Sequence, residues 1–245
     1  MDNKEIGFLQ MFQNGCNIKI IGDSIAAGAG SSDSVKTKEV ILDTCTKTFF
    51  RRTSLKSWSS LFQIYMLDKF PKCTVVNNGC GGITSTEVRE NLSKLCSDED
   101  ELVIILLGCN DRKVLNGMNQ LFDNLTFLIK FLKDRNKKII LMSPNPSTFQ
   151  NESYPNRLYH MDHVTNVISC VAENENIHFI NSFNYIQNYL FCTNKTIDEI
   201  MLEENCMNDG LHPTDSIHFL IFRSLLEGLN LALYNNISSN SNLNL

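Results

Sequence analysis

The sequence predicts an α/β protein built on a parallel β-sheet, and two observations carry that prediction. Five short runs of apolar, β-branched residues recur along the chain, at residues 18–21, 74–76, 102–107, 139–142 and 177–180. Each run is nearly continuous in apolar character, as expected of a strand that is buried on both faces of a parallel sheet. Amphipathic segments separate the runs, and this strand–helix alternation is typical of a doubly wound α/β sheet.

Three amphipathic segments have the spacing of helices. In residues 58–70 and 121–132, apolar side chains recur three and four positions apart, which places them on one face of a helix. Pro71 ends the first helix, because a proline cannot continue one. A third amphipathic segment, residues 216–233, follows the last apolar run. We expect these helices to cover the sheet.

Three other segments depart from the alternation. Residues 31–57 form a polar insert in the first strand-to-helix crossover, and residues 144–160, with three prolines, predict a loop after the fourth strand. Residues 235–245 are rich in Asn and Ser, and we expect them to be disordered. No linker divides the chain, and 245 residues are enough for one large core. The sequence therefore predicts a single domain over residues 1–234.

Composition argues against two classes of function. The formal net charge is −5 and no block of basic residues occurs, so a nucleic-acid binder is not expected. The longest apolar run, residues 102–107, is too short to cross a bilayer. The N-terminus has no apolar signal region, and the nine cysteines form no CxxC pair. We therefore expect a cytoplasmic protein with reduced thiols and no membrane partner.

The chemistry-bearing residues follow the predicted strands. In an open parallel sheet, ligands bind beyond the carboxyl ends of the strands. The segments that follow the first three strands are GDSIAAG at 22–28, NNGCGGIT at 77–84 and GCND at 108–111, and DGLHP at 209–213 precedes the last helix. We expect all four segments to converge on one edge of the sheet.

Together these segments contain the groups that ester hydrolysis needs. A serine nucleophile requires a histidine base, and the histidine requires a carboxylate that orients it. The oxyanion formed in the reaction requires preorganised N–H donors. Ser24, His212, Asp209, Gly82 and Asn110 supply these groups in turn. Asp209 and His212 are three residues apart, so one turn of backbone is enough to bring the carboxylate to the ring.

In this order, the four segments resemble the sequence blocks of the SGNH (GDSL) hydrolase family. The resemblance implies that Ser24 is the nucleophile and that its backbone N–H joins the oxyanion hole. Asn110 matches the asparagine of the oxyanion hole, and Asp209 and His212 match the acid–base pair of the family. Family membership also implies a flavodoxin-like three-layer α/β/α sandwich with a five-stranded parallel sheet.

The oxyanion glycine depends on the register of one alignment. Gly82 matches the family position when residues 75–77 are aligned with the family's strand ending. Gly79 and Gly81 stand nearby as alternatives. The insert at 31–57 is longer than in compact members of the family, and it leaves the substrate open.

The resemblance implies a serine-dependent ester hydrolase that forms an acyl-serine intermediate and needs no cofactor. We expect a short-chain acyl group, most simply O-acetyl, on a polar small-molecule or carbohydrate carrier, because residues 31–57 and 144–160 are polar. Phe49 and Phe50 argue the other way, since they could line a groove for a long acyl chain. A thioesterase or lysophospholipase, an O-acyltransferase and a non-catalytic binding module remain alternatives, and the oligomeric state is open.

A metal site is the weaker interpretation of the same region. Cys206, Asp209 and His212 are ligand types at even spacing. Structural zinc usually takes four ligands in recognisable pairs, so we expect no metal here.

Overall fold

Five parallel strands form the central sheet of the computed structural model, which describes residues 3–231. In chain order the helices and strands are α1 (Asn3–Asn14), β1 (Asn17–Gly22), β2 (Val35–Asp43), β3 (Thr48–Thr53), α2 (Trp58–Lys69), β4 (Thr74–Gly79), α3 (Ser85–Glu90), α4 (Leu92–Leu95), β5 (Leu102–Leu106), α5 (Gly117–Lys133), β6 (Lys138–Met142), α6 (Phe149–Glu152), α7 (Met161–Asn174), β7 (His178–Ile180), α8 (Ser182–Thr193), α9 (Ile197–Ile200) and α10 (Asp215–Gly228). The sheet order is β4-β1-β5-β6-β7. Each predicted strand is present, and the flavodoxin-like α/β fold is confirmed.

Burial on both faces explains why the central strand β5 is a continuous apolar run. All five residues of β5 are buried, and their side chains alternate between two hydrophobic clusters. Leu102, Ile104 and Leu106 pack with residues of α1, α2, α8 and α10. Val103 and Ile105 pack with residues of α3, α4, α5 and α7 on the opposite face. The sheet is therefore the middle layer of three.

The polar insert at residues 31–57 is more regular than its sequence suggests. Strands β2 and β3 pair antiparallel in a two-stranded sheet of their own, which we call the hairpin (residues 35–53). Hydrogen bonds close its neck: Ser31 Oγ donates to Ser54 Oγ at 2.8 Å, and Ser54 Oγ donates to Asp33 Oδ1 at 2.6 Å. Only Leu42 is buried in β2, and the short apolar run at residues 40–42 was not recognised as a strand within the polar insert.

Two segments differ from the sequence prediction, one by an additional helix and one by the position of a helix end. The loop at 144–160 contains a short helix, α6, whose N-cap Thr148 accepts a hydrogen bond from the Asn151 N–H. The last helix was expected over 216–233 but ends at Gly228, and Asn230 takes a left-handed conformation with φ of 56°. That conformation cannot continue a right-handed helix.

The predictions for the chain ends extend past the described residues. The predicted disordered tail at 235–245 lies outside them, and the single domain over 1–234 stays a prediction. Within residues 3–231, none of the helices has both the length and the apolar character that crossing a bilayer requires.

Candidate active site

The sheet order brings the four sequence segments together. Strand β1 lies between β4 and β5, so the turns after these three strands are neighbours at the carboxyl edge. The segment at 209–213 reaches the same edge from the other end of the chain, just before α10. This is the convergence that the sequence predicted.

A chain of hydrogen bonds links Ser24, His212 and Asp209. Ser24 Oγ lies 2.9 Å from His212 Nε2, and His212 Nδ1 lies 2.6 Å from Asp209 Oδ2. An ionised carboxylate only accepts hydrogen bonds, so Asp209 holds the ring proton on Nδ1. His212 Nε2 is then the acceptor for the Ser24 hydroxyl, which is the arrangement of a nucleophile and its general base.

Asp209 is held in place by its own turn as well as by the ring. Its Oδ1 accepts hydrogen bonds from the backbone N–H groups of Leu211 at 3.0 Å and His212 at 2.8 Å. Partial desolvation raises the pKa of Asp209, but the hydrogen bonds and the charge of His212 outweigh it and hold this pKa well below its ordinary value. The carboxylate that orients the imidazole therefore stays ionised.

The turn after β1 is fixed by the buried side chain of Asp23. Its Oδ1 accepts from the Ile25 N–H at 3.0 Å, and its Oδ2 accepts from the Cys109 N–H at 3.3 Å. Complete burial raises the pKa of Asp23, and these hydrogen bonds act against that rise. Asp23 thus ties the turn that carries Ser24 to the turn that carries Asn110.

Three N–H donors at the same edge are free to bind an oxyanion. Neither the Ser24 N–H nor the Gly82 N–H donates to an acceptor among the described residues. The Asn110 side chain uses one of its two amide hydrogens on the Ile83 carbonyl, at 2.9 Å, and keeps the other. A tetrahedral oxyanion requires donors of this kind.

The structure narrows the choice of oxyanion glycine. The Gly79 N–H is not available to an oxyanion, because it donates to Asn77 Oδ1 at 2.8 Å. Gly81 and Gly82 both line the cavity described below, and Gly82 adopts a φ of 85°. Gly82 is also adjacent to Ile83, whose carbonyl holds Asn110. Gly82 therefore remains the better candidate.

Asp111 braces the loop between Gly82 and α3. Its carboxylate accepts from the Ser85 N–H at 3.1 Å and from the Ser85 hydroxyl, at the N-terminus of α3. Burial raises the pKa of Asp111 to about 6, against the hydrogen bonds from Ser85. The loops after β4 and β5 are thereby held to each other.

A buried network under the Asp209 turn was not predicted from the sequence. Arg112 is fully buried; its Nη1 lies 3.0 Å from Glu152 Oε2, and its Nη2 donates to Asn151 Oδ1. Asn151 Nδ2 donates in turn to the Asp209 carbonyl at 3.0 Å. Arg112 directly follows the GCND segment, and that adjacency is the signal that could have identified it. No sequence signal marks Asn151.

A cavity of about 330 Å³ opens beside Ser24. Its walls come from the turn after β1, the hairpin, the loops after β4 and β5, and the 207–212 segment; the lining residues are Ser24, Ala27, Ala29, Lys36, Thr48, Phe49, Phe50, Arg52, Gly81, Gly82, Asn110, Lys113, Met207, Leu211 and His212. Four of the five sequence-predicted site residues are in this set. The fifth, Asp209, lies behind His212. The catalytic roles of all five stay predictions.

The metal interpretation fits the geometry poorly. Asp209 and His212 bind each other directly, while Cys206 Sγ lies 3.8 Å from Glu203 Oε2. A different group, Glu203, Cys206 and Asp215, has its ligand atoms within 4.8 Å of one another. The Lys56 ammonium already lies 2.8 Å from the Asp215 carboxylate and neutralises it.

The fold and the class of site define a carboxylic-ester hydrolase of the α/β type. Residues 20–218 match the model of the GDSL-like lipase/acylhydrolase family, and the chain belongs to that family. The resemblance inferred from the four segments is thereby confirmed. No curated protein sequence matches the chain significantly.

Solved structures share the fold at low sequence identity. The acetylxylan esterase Axe2 from Geobacillus stearothermophilus is 21% identical, with a TM-score of 0.62; the match covers 87% of this chain and 94% of that one. An alpha/beta hydrolase enzyme from the metagenome of Lake Arreo, Spain, is 18% identical, with a TM-score of 0.65 and coverage of 88% and 95%. At these identities the likeness concerns the fold.

Proposed function

We propose that this protein is a serine esterase that removes a short acyl group, in the first place O-acetyl, from a polar carbohydrate-like carrier through an acyl-Ser24 intermediate. The observation that carries the proposal is the hydrogen-bonded series Ser24–His212–Asp209 at the wall of a cavity. The free thiols of the nine cysteines support a reducing, cytoplasmic location.

In the acylation step, Ser24 Oγ attacks the ester carbonyl carbon while His212 Nε2 takes the hydroxyl proton. Asp209 stabilises the imidazolium that forms. The carbonyl oxygen becomes an oxyanion, which the Ser24 and Gly82 N–H groups and the Asn110 amide bind. When the intermediate collapses, the bond to the leaving alcohol breaks, and that oxygen receives the proton from His212.

In the deacylation step, water takes the place of the alcohol. His212 removes a proton from the water as the water oxygen attacks the acyl carbon of acyl-Ser24. The same donors bind the second oxyanion. The ester bond to Ser24 then breaks, Ser24 Oγ regains a proton from His212, and the carboxylic acid leaves.

The walls of the cavity favour a short acyl chain. Phe49 is only 4% exposed and packs into the hydrophobic cluster with Leu42 and Ile83, so most of its apolar surface is used there. The Lys36 ammonium lies 4.6 Å from the centre of the Phe50 ring and covers it. A long acyl chain needs a contiguous apolar groove, and these contacts leave little of one.

Related structures agree with the proposed roles. Three solved structures of the Geobacillus stearothermophilus acetylxylan esterase are described as catalytic mutants, with a serine, an aspartate or a histidine replaced by alanine. The replaced aspartate precedes the histidine by three positions, as Asp209 precedes His212. This supports both an acetyl group and a carbohydrate carrier for the present chain.

The test is kcat/KM across p-nitrophenyl esters from acetyl to palmitoyl, with acetate release from O-acetylated sugars measured alongside. We expect acetyl to be preferred and the Ser24→Ala variant to be inactive. A preference that rises through octanoyl and beyond would favour the thioesterase or lysophospholipase alternative. Formation of a new sugar ester when a sugar is added as the acceptor alcohol would favour acyl transfer. Full activity of Ser24→Ala would overturn the serine mechanism.

A further inference from the structure

Three cationic side chains line the cavity. Lys36 and Arg52 come from the two strands of the hairpin, and Lys113 comes from the turn after β5. None of the residues that line the cavity is an aspartate or a glutamate. The chain as a whole carries a formal charge of −5, so this local excess of positive charge runs against its composition.

These three cations have no anionic partner. Among the side chains that the structure describes, none of the ion pairs includes Lys36, Arg52 or Lys113. Their contacts are with neutral groups: Arg52 Nη1 donates to Ser34 Oγ at 3.1 Å, and Lys113 Nζ donates to Asn110 Oδ1 at 3.3 Å. Partial burial, followed by the positive charge of Arg157, lowers the pKa of Lys113.

Three other cations of the same insert are paired, and Lys38, which is in none of the ion pairs of the described side chains, lies outside the cavity. Lys47 Nζ lies 2.8 Å from Glu87 Oε1, and Arg51 Nε lies 2.8 Å from Glu39 Oε1. Lys56, just after the hairpin, pairs with Asp215. The cations that face the cavity therefore differ from these neighbours in having their charge available. Uncompensated charge of one sign in a cleft attracts a ligand of the opposite sign.

We propose that the acyl carrier is anionic, and that Lys36, Arg52 and Lys113 bind its carboxylate or phosphate while the ester lies at Ser24. This inference rests on the proposed esterase function and specifies its substrate class. Lys113 contacts Asn110, the asparagine proposed for the oxyanion hole, and the two hairpin cations line the same cavity. An anionic group on the sugar thus meets cations that two separate parts of the chain supply.

The test compares sugars that differ in the charge of the group at carbon 6. The substrates are an O-acetylated methyl glucoside, the methyl glucuronoside acetylated at the same hydroxyl, and the correspondingly acetylated methyl glucoside 6-phosphate. We expect kcat/KM to be about 10-fold higher for a charged sugar at low salt, because several partly exposed charge interactions add up. The preference should shrink in 0.5 M NaCl, where such charges are screened. The charged sugar with the larger kcat/KM relative to the neutral sugar shows whether the carrier anion is a carboxylate or a phosphate.

The variants isolate the cations. We expect the triple variant Lys36→Gln, Arg52→Gln, Lys113→Gln to bring the charged-to-neutral ratio of kcat/KM to within about twofold of one. Because Arg52 is half-buried, the double variant Lys36→Gln, Lys113→Gln is made as well and should lose part of the preference. Lys38→Gln removes the same charge from an exposed position of β2 outside the cavity, and should keep the wild-type ratio.

Binding provides a readout that does not depend on turnover. In the Ser24→Ala background, calorimetry should give a Kd about 10-fold lower for the uronate than for the neutral sugar, and the three glutamine substitutions should remove this difference. Equal kcat/KM values for the charged and the neutral sugars in the wild-type protein would overturn the inference. So would a preference for the charged sugars that survives in the triple variant. If the inference fails but p-nitrophenyl acetate is still hydrolysed by the wild type and not by Ser24→Ala, the esterase proposal stands without an anionic carrier. If no ester is hydrolysed but the binding difference is present, only the esterase proposal fails.

Discussion

Gly30 packs directly against the backbone of His212. A Cβ atom at Gly30 would lie 2.9 Å from the His212 carbonyl carbon and 2.3 Å from the Pro213 carbonyl oxygen. Gly30 also has a φ of 107°, a conformation that residues with side chains rarely adopt. The loop after β1 therefore carries Ser24 and, six residues later, packs against the backbone of His212.

Replacing Gly30 with alanine should displace His212 from Ser24. Because a shift of about 1 Å at a reacting group costs on the order of 100-fold in rate, we expect kcat to fall by about that factor. The measurement is kcat on p-nitrophenyl acetate together with a thermal unfolding curve. Gly7→Ala is the matched control, since no atom lies within 4 Å of its Cβ position. Unchanged kcat in a folded Gly30→Ala protein would contradict the positional role.

Ser24→Ala and His212→Ala should each lower kcat by about 10⁴-fold or more, because the two groups act as one unit. For the same reason the double variant should be little worse than either single variant. Steady-state kinetics on the three proteins check both expectations, with circular dichroism as the control for folding. Effects that multiply in the double variant would argue that the two residues act independently.

Asn110→Ala should remove one oxyanion donor. Such a loss costs about 2–4 kcal/mol of transition-state stabilisation and acts on kcat. The decisive measurement separates kcat from KM on p-nitrophenyl acetate. A rise in KM at constant kcat would show instead that Asn110 binds the substrate in its ground state.

His218 makes stability depend on pH. It is fully buried between α2 and the loop after β1: its Nδ1 accepts from the Trp58 N–H at 3.4 Å, and its Nε2 lies 3.2 Å from the Ala29 carbonyl oxygen. Burial lowers the pKa of His218 to about 4 from an ordinary value of 6.5. Between these values the unfolded chain binds a proton that the folded chain does not, so the free energy of unfolding falls as the pH falls.

The contribution of His218 has a slope of at most about 1.4 kcal/mol per pH unit. His218→Gln should remove it, and the difference in unfolding free energy between the variant and the wild type should change between pH 6.5 and 4. Asp111, whose pKa is raised, contributes with the opposite sign but is present in both proteins. Urea unfolding at several pH values measures the difference. Parallel curves for the two proteins would refute the assignment.

The middle of the sheet was predictable because β5 and β6 are buried on both faces. Residues 102–107 and 139–142 are apolar whichever cluster each side chain joins, so a continuous run of apolar residues is enough to identify each strand. The hairpin was not predictable by the same rule. Its strand β2 is mostly exposed, and the burial of Leu42 and Phe49 depends on contacts with distant helices.

The residues proposed to react could be singled out for a different reason. Ser24, Asn110 and His212 stand in short segments whose order along the chain is informative by itself. The residues that support them are held by contacts across long stretches of chain, and no local pattern records those contacts. Arg112 reaches Asn151 and Glu152 in α6, which are 39 and 40 residues further along the chain.

The closed neck of the hairpin makes residues 35–53 an exchangeable module. Because Ser31, Asp33 and Ser54 join the two ends of the insert to each other, its length is set independently of the distance between β1 and α2. A different hairpin grafted between these residues would keep Ser24 and its partners in register, provided that apolar side chains replace Leu42 and Phe49 at the contact with the helices. The residues proposed for catalysis and the hairpin residues proposed to bind the substrate thus lie on separable parts of the chain.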